Sequence, residues 1–510
     1  MSSRSKYIAK NITFGYIANI VALFLNFVSR TVFIYTLGDS YLGISGLFGN
    51  VLGILSFAEL GIGTAMNYEL YKPVANKDYE KIKSLMNFYK NAYRMIALIV
   101  ATVGLAICPF LKYIVHDSNG VLSGNEIYVY YLIYLFNTVI SYFVTYKFSL
   151  VNAEQKSYIF TTINAITNFL TVVFQIIVLL VFKNFLLYLL TASVIGALQK
   201  IGVSLYLRKM YPYLLEKPVR KLDKEELSPI KKNVKALLIH KIGEISVYQT
   251  DNIIISMCIS TVAVGLYSNY FTVTSSLTSF ITILFTSLTA SVGNLIVKES
   301  AEQRYQVFQL SQRISFWLSG FITVCTFLLI PDFIQLWLGK SFDLGYAMAA
   351  AVALNLYFST SMQPIWIFRE ATGLYRRTKY IMLVAAGINL VLSVLFAYRL
   401  GIPGVIFATI LSRIVTYFWY EPKILFKEFF DQKVVGYYRD YFFNVLLILV
   451  CGGLLNKAFT ILFHEVSIGA WIAKAVISGI IINLVYFLLN IKNGTVSSII
   501  NRIKSMCSKQ

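Results

Sequence analysis

Repetition of one kind of segment constrains this chain more than anything else in it. Apolar stretches of about 20 residues recur from Asn11 to Asn490, and at a rise of about 1.5 Å per residue each can cross a hydrocarbon core roughly 30 Å thick as a helix. Strands of an outer-membrane barrel would be shorter and would alternate apolar with polar residues, whereas the run Ile472 to Leu489 shows no alternation. Composition agrees: 57% of residues are hydrophobic and 14% charged, against roughly half and a quarter in soluble proteins. An all-α integral membrane protein is expected. Spans are predicted over residues 11–37, 41–67, 91–115, 127–150, 158–182, 184–207, 236–258, 262–297, 314–337, 344–368, 379–400, 403–420, 439–457 and 470–490, about fourteen transmembrane helices. The first run is longer than a signal-peptide core and lacks a small-residue cleavage site, so it reads as helix one. Cys108, Cys258, Cys325, Cys451 and Cys507 are scattered without metal-ligand or CxxC spacing and read as structural.

A net charge of +21 would suggest nucleic acid in a soluble protein. In a membrane protein the placement of the charges decides its meaning. With the N-terminus in the cytoplasm, only Lys112, Lys183, Lys340, Arg399 and Lys457 fall in outer connections, a bias of about seven to one toward the inside. The predicted arrangement is therefore a membrane crossed many times, with both termini cytoplasmic. Basic loops meeting an anionic inner leaflet account for the charge without a nucleic-acid partner. The densest run, Arg208 to Lys241, reads as a solvated loop.

A polar connection containing Pro212, Pro218 and Pro229 separates six spans from the following six. The expected organisation is an N-terminal lobe over 1–207, a cytoplasmic linker over 208–235, a C-terminal lobe over 236–420, two extra helices within 421–490 and a cytoplasmic tail over 491–510. Each half opens alike, with a charge about fourteen residues before a glycine: Arg30 before Gly43, and Asp251 before Gly265. Two six-helix lobes related as parallel repeats would enclose a central cavity and alternate its access by rocking. In the tail, Val496, Ile499, Ile500, Ile503 and Met506 sit at helical spacing, as an interfacial helix would place them.

The segments Asn26-Phe-Val-Ser-Arg30, Leu42-Gly43, Leu55-Ser-Phe-Ala-Glu59-Leu-Gly-Ile-Gly63 and Tyr68-Glu-Leu-Tyr-Lys72-Pro resemble the Wzx-type polysaccharide flippases of Gram-positive and related bacteria. His240-Lys-Ile-Gly243 and Thr250-Asp251-Asn252 agree in the second half. That family belongs to the multidrug/oligosaccharidyl-lipid/polysaccharide (MOP) exporter superfamily. The resemblance implies twelve helices in two lobes plus two C-terminal helices, and a lipid-linked oligosaccharide as substrate. It also implies membrane lipids, a polysaccharide polymerase and glycosyltransferases as partners, and no enzymatic activity.

Arg30 lies deep in helix one, where exposure to lipid would cost about 2.5–3.5 kcal/mol on insertion scales. A guanidinium fork suits phosphate oxygens, and the resemblance implies a cationic cavity that receives a diphosphate headgroup. An internal ion pair with Glu59 or Asp251 is the competing reading. Glu244 and Asp251 lie seven residues apart on one face of helix seven, with Gln249 and Asn252 nearby. That stripe reads as a sugar-hydroxyl contact, as a Na⁺ or H⁺ coupling site, or as interhelical hydrogen bonding. Glu59, followed by Gly61 and Gly63, reads as a helix-interface residue. Lys200, Lys241, Arg413 and Lys474 are close enough to span ends to snorkel. No two histidines share a helix face, so no metal or other cofactor is expected.

Two other functions stay open at this point. A drug or metabolite exporter could share the twelve-helix core. A membrane enzyme acting on polysaccharide would need larger outer loops and an arrangement of carboxylates, nucleophile or metal that these short connections do not hold.

Overall fold

Helices begin and end in this chain where local chemistry tells them to. The computed structural model describes residues 20–21, 24–55, 57–115, 125–154, 156–216, 219–286, 292, 295, 299–372 and 374–491, and the regular structure among them is all helical, with no strand. The tail with its expected interfacial helix, and Cys507, lie outside the described residues.

Helix α1 covers Phe24–Leu37, and Gly38, at φ +85°, turns the chain into α2 (Asp39–Leu55) and then α3 (Phe57–Ala75). The expected span 41–67 is divided between these two. Helix α4 (Tyr79–Ile107) starts on Asp78, whose carboxylate accepts the Lys81 backbone N–H at 3.0 Å. Helices α5 (Glu126–Ala153), α6 (Ser157–Phe182) and α7 (Phe185–Met210) follow. Lys183 at φ +47° stops α6, and the Asn184 side chain caps α7 at once.

Helix α8 runs over Lys224–Cys258 and opens with a capping box: the Asp223 N–H donates to Glu226 at 2.9 Å while the Asp223 side chain caps in return. This corrects the reading of Arg208 to Lys241 as a solvated loop. Arg208 closes α7, Lys224 to Lys241 are helical, and only the short stretch around 211–223 connects them. Two or three acids and an N-cap were enough to extend the helix well before the apolar run begins.

Helices α9 (Thr261–Thr286) and α10 (Ala301–Leu338) come next, the latter capped by Ser300 and Gln303. Then follow α11 (Gly345–Ser361), α12 (Gln363–Ala371), α13 (Tyr375–Val415), α14 (Tyr417–Leu425), α15 (Val435–Leu462) and α16 (Ile468–Ile491). Within α13, Gly401 at φ 65° and Pro403 break the hydrogen-bond ladder, which leaves two arms where two spans were expected. Eight helical stretches are long and apolar enough to cross a membrane by length and composition. The two arms of α13 fall in one of those stretches, and the shorter or more polar α1, α2, α8, α9 and α11 bring the set to about fourteen crossings.

By contacts the chain divides into two compact units, residues 1–265 and 266–510. In the first, α8 packs along α2 and α3, α4 along α5, and α7 along α5 and α6. Helix α6 keeps Ile166, Phe169, Leu170, Phe174 and Ile177 exposed, an apolar face that needs lipid. In the second unit α10 is central and packs against α11, α15 and α16. Phe308 meets Phe368, Phe426 and Phe430 at centroid separations of 5.0–5.5 Å, tying the ends of α10, α12 and α14 together.

Candidate functional site

Arg30 is placed on α1 against the start of α7. Phe33, less than one turn further on, packs edge-on to Phe185 and Tyr188 at 6.0 and 5.0 Å, which fixes how α1 is rotated against α7. The Tyr188 phenol then sits beside the Arg30 guanidinium and bonds to the Ser29 and Gln175 side chains. Gln175 Nε2 also donates to the Tyr188 carbonyl at 3.2 Å. Three neutral polar groups from α1, α6 and α7 are therefore linked at Tyr188, the one that lies beside this cation.

Two other predicted residues, Gln249 and Asn252, lie against α2, and glycine is the reason they can. Gly43, Gly46, Gly49 and Gly53 repeat every three or four positions along α2, leaving one side of the helix without Cβ atoms. Gln249 lies over Gly53, its amide carbon 3.3 Å from where a Cβ would stand, and Asn252 lies 3.7 Å from the corresponding point at Gly46. Asn50 Nδ2 donates to the Gln249 carbonyl at 3.3 Å. The Asn252 side-chain oxygen is buried with no hydrogen-bond partner among the described residues. Asp251 is buried on the same helix, at 8% exposure. Glu59 and Glu244 belong to α3 and α8, and their side chains lie outside what the structure describes.

One turn past the α8 end, the two glycines that the sequence placed in matching register meet each other. A Cβ on Gly43 would strike the Thr261 carbonyl oxygen, four residues before Gly265. A Cβ on Gly265 would strike the Asp39 carbonyl oxygen, four residues before Gly43, and come within 3.2 Å of the Gly43 nitrogen. The contact is reciprocal, as expected where two equivalent helix starts cross.

Two cations depart from the snorkelling expectation. Lys474 turns inward and donates to Asp332 at 2.7 Å, with both side chains buried. Arg413 is 1% exposed and donates to Asn355 at 2.9 Å and Ser359 at 3.2 Å. Burial with a partner replaces exposure because each of these two is on the packed side of its helix, where a nearby acceptor costs less than an outward bend across apolar neighbours. Lys200 is half-buried and donates to the Gly196 carbonyl of its own helix at 3.3 Å. A further buried pair, Arg369 to Glu421 at 2.5 Å, was not singled out from the sequence. Its only sequence signal was an acid, Glu421, beside Pro422 at the end of a predicted span. Among the described residues no group of three His, Cys, Asp or Glu is placed to hold a metal ion.

The fold built from these helices is similar to that of solved MOP-superfamily transporters. The sequence matches no family model and no curated protein, so the likeness is one of structure. The lipid II flippase MurJ, in an inward closed conformation, superposes with a TM-score of 0.66 at 12% identity, covering 95% of this chain and 99% of that one. An inward-facing multidrug resistance MATE family transporter of the MOP superfamily gives 0.56 at 15% identity over 80% of this chain and 96% of its own. A MOP superfamily transporter from Pyrococcus furiosus, described as having a binding pocket of reverse polarity, gives 0.56 at 15% over 82% and 95%.

Proposed function

We propose that this chain is a flippase that moves undecaprenyl-diphosphate-linked oligosaccharide repeat units across the plasma membrane by alternating access, for capsule or exopolysaccharide assembly. The observation that carries the reading is the length of the structural likeness. The match to MurJ leaves about a twentieth of the chain uncovered, too little to omit α15 and α16 together, whereas the multidrug transporter leaves about a fifth. Arg30 supplies the diphosphate contact, with Tyr188 beside it to orient the fork. Gln249, Asp251 and Asn252 contact sugar hydroxyls or a coupling ion, Na⁺ or H⁺, and Glu59 and Glu244 serve coupling or the helix interface. The cytoplasmic placement of both termini rests on the bias in Lys and Arg. The protein makes no covalent change to its substrate; glycosyltransferases would supply it and a polymerase would consume it.

A second reading, export of a drug or metabolite, is favoured by the multidrug likeness alone. Reconstitution decides between them. Purified protein in liposomes should render a lipid-linked oligosaccharide on one leaflet accessible on the other, with no chemical change in the lipid. Arg30→Ala should abolish this at normal protein levels, and Arg30→Lys should restore only part, because an ammonium lacks the bidentate fork. Transport of a cationic dye but not of the lipid would reverse the assignment. Full lipid transport by well-folded Arg30→Ala would remove Arg30 from the site.

A further inference from the structure

We propose that a cavity inside the first unit, between the ends of α4, α5 and α7 that carry Lys90, Lys147 and Arg208, is a binding site for a phosphate-bearing group, separate from Arg30. The cavity has a volume of about 430 Å³, within the range of sites that hold small ligands. Six cations line it, Lys83, Lys90, Arg94, Lys147, Lys200 and Arg208, and no Asp or Glu does among the described residues.

The cations reach one place because of helical spacing. Lys83, Asn87, Lys90 and Arg94 form one stripe of α4, and Lys200, Ser204 and Arg208 one stripe of α7, with Lys147 on α5 facing both. Lys147 donates to Ser204 at 2.6 Å and has Arg208 and Lys90 within electrostatic reach. Arg94 and Arg208 both act on the Tyr146 ring hydroxyl. Of the lining cations Lys83 is paired, with Glu80 and Glu216 at 2.5 and 3.5 Å, while Glu154 accepts from Tyr211 and Lys156.

Setting Lys147 within electrostatic reach of Arg208 and Lys90 beside a half-enclosed hollow raises the free energy of the empty protein through repulsion at Lys147. An anion with several oxygens relieves that repulsion, and arginine and lysine together suit phosphate. The remaining wall is amphipathic: Tyr142, Tyr146 and Tyr211 beside Phe143, Val144 and Leu207. A headgroup phosphate with the first carbons of its chain would match that wall, and an inorganic phosphate would use the cations alone. The site stands with or without the flippase reading, because it concerns binding and not transport.

The test uses the full chain in phosphatidylcholine nanodiscs, in an Arg30→Gln background so that binding at Arg30 cannot contribute. Equilibrium dialysis measures radiolabelled inorganic pyrophosphate and geranyl diphosphate. Both should bind, more weakly as salt rises, and Lys147→Gln with Arg208→Gln should lower affinity at least tenfold, while Lys147→Arg retains it. Tighter geranyl diphosphate than pyrophosphate, or displacement of pyrophosphate by added phosphatidylglycerol, assigns a lipid headgroup. Equal affinities without displacement assign free phosphate. The thermal midpoint of the ligand-free variants should equal or exceed that of the parent, and if the double variant folds poorly the single Lys147→Gln is read for the same loss. Affinity unchanged by these substitutions, or no binding in the Arg30→Gln background, overturns the proposal.

Discussion

The two units place most of their inward-facing positive charge differently. In the second, each of three cations has an acceptor at hydrogen-bond distance: Lys474 has Asp332, Arg369 has Glu421, and Arg413 has Asn355 and Ser359. Charge there is spent on holding α10 to α16, α12 to α14 and α13 to α11. In the first unit the helices approach through glycine instead, α2 offering Gly43, Gly46 and Gly53 to α8 and α9. Six cations of that unit line a hollow that no carboxylate lines among the described residues, one of them, Lys83, being paired with Glu80 and Glu216. A cation with an internal partner is a structural tie, and a group of cations around a space is a surface awaiting an anion. Under the proposals made above, the difference would give ligand chemistry to the first unit and rigid ties to the second.

Breaking a tie should have the largest effect. Asp332→Ala strands Lys474 in an apolar setting and should cost about 3–5 kcal/mol, read as lost abundance and a lower unfolding midpoint in detergent. Asp332→Leu combined with Lys474→Met should recover most of it, since a matched apolar pair carries no desolvation cost. A double variant no better than the single would show that the pair is not what binds α10 to α16. Next in size is Gly43→Ala, which sets a methyl on the Thr261 carbonyl oxygen and should cost about 1–3 kcal/mol by overpacking. Gly49→Ala, which meets nothing within 4 Å, is its control and should fall within about 0.5 kcal/mol of the parent. Equal effects at the two positions would refute the glycine contact. Smaller still is Arg94→Gln at the cavity: without ligand its midpoint should stay the same or rise slightly, the reverse of what removing a tie would do.

Much of this was readable in the sequence, for definable reasons. A crossing helix needs an unbroken apolar run, so the number of spans and the break near Gly401 were written locally. The matching register of Gly43 and Gly265 was also visible, although that the two would touch was not. Lys474 and Arg413 were misjudged because distance from a span end measures depth along a helix, and burial depends on which side of the helix faces protein. Asp332 lies far from Lys474 in sequence, so nothing local announced the pair. The early start of α8 did have a local signal, the spacing of Asp223 and Glu226, overshadowed by Pro229 and the dense charge around it. The cavity shows the same limit: its stripes on α4 and α7 are periodic in sequence, but their convergence is a fact of packing.

The smallest effect expected separates an exposed ion pair from the buried ones. Glu226, at the start of α8, accepts from Lys81 of α4 at 2.5 Å, with both side chains about one-quarter exposed. The Lys81 ammonium, and after it the Asp223 backbone N–H, hold the Glu226 carboxyl below its ordinary range. A carboxyl whose pKa is lower in the folded protein stabilises the fold above the unfolded value, near 4.3, and ceases to do so as pH falls through the folded value. Glu226→Gln removes the charge but keeps an acceptor that can complete the capping box with Asp223, so it isolates the pairing with Lys81. Unfolding midpoints of parent and variant should differ by a constant small amount from pH 7 to pH 5 and converge only as pH falls through the folded value, below the unfolded one. Raising salt should shrink the difference, as it would not for Lys474 and Asp332. A gap that neither acid titration nor salt reduces would mean that Glu226 acts through helix capping and that the first unit draws no stability from ion pairing at this contact.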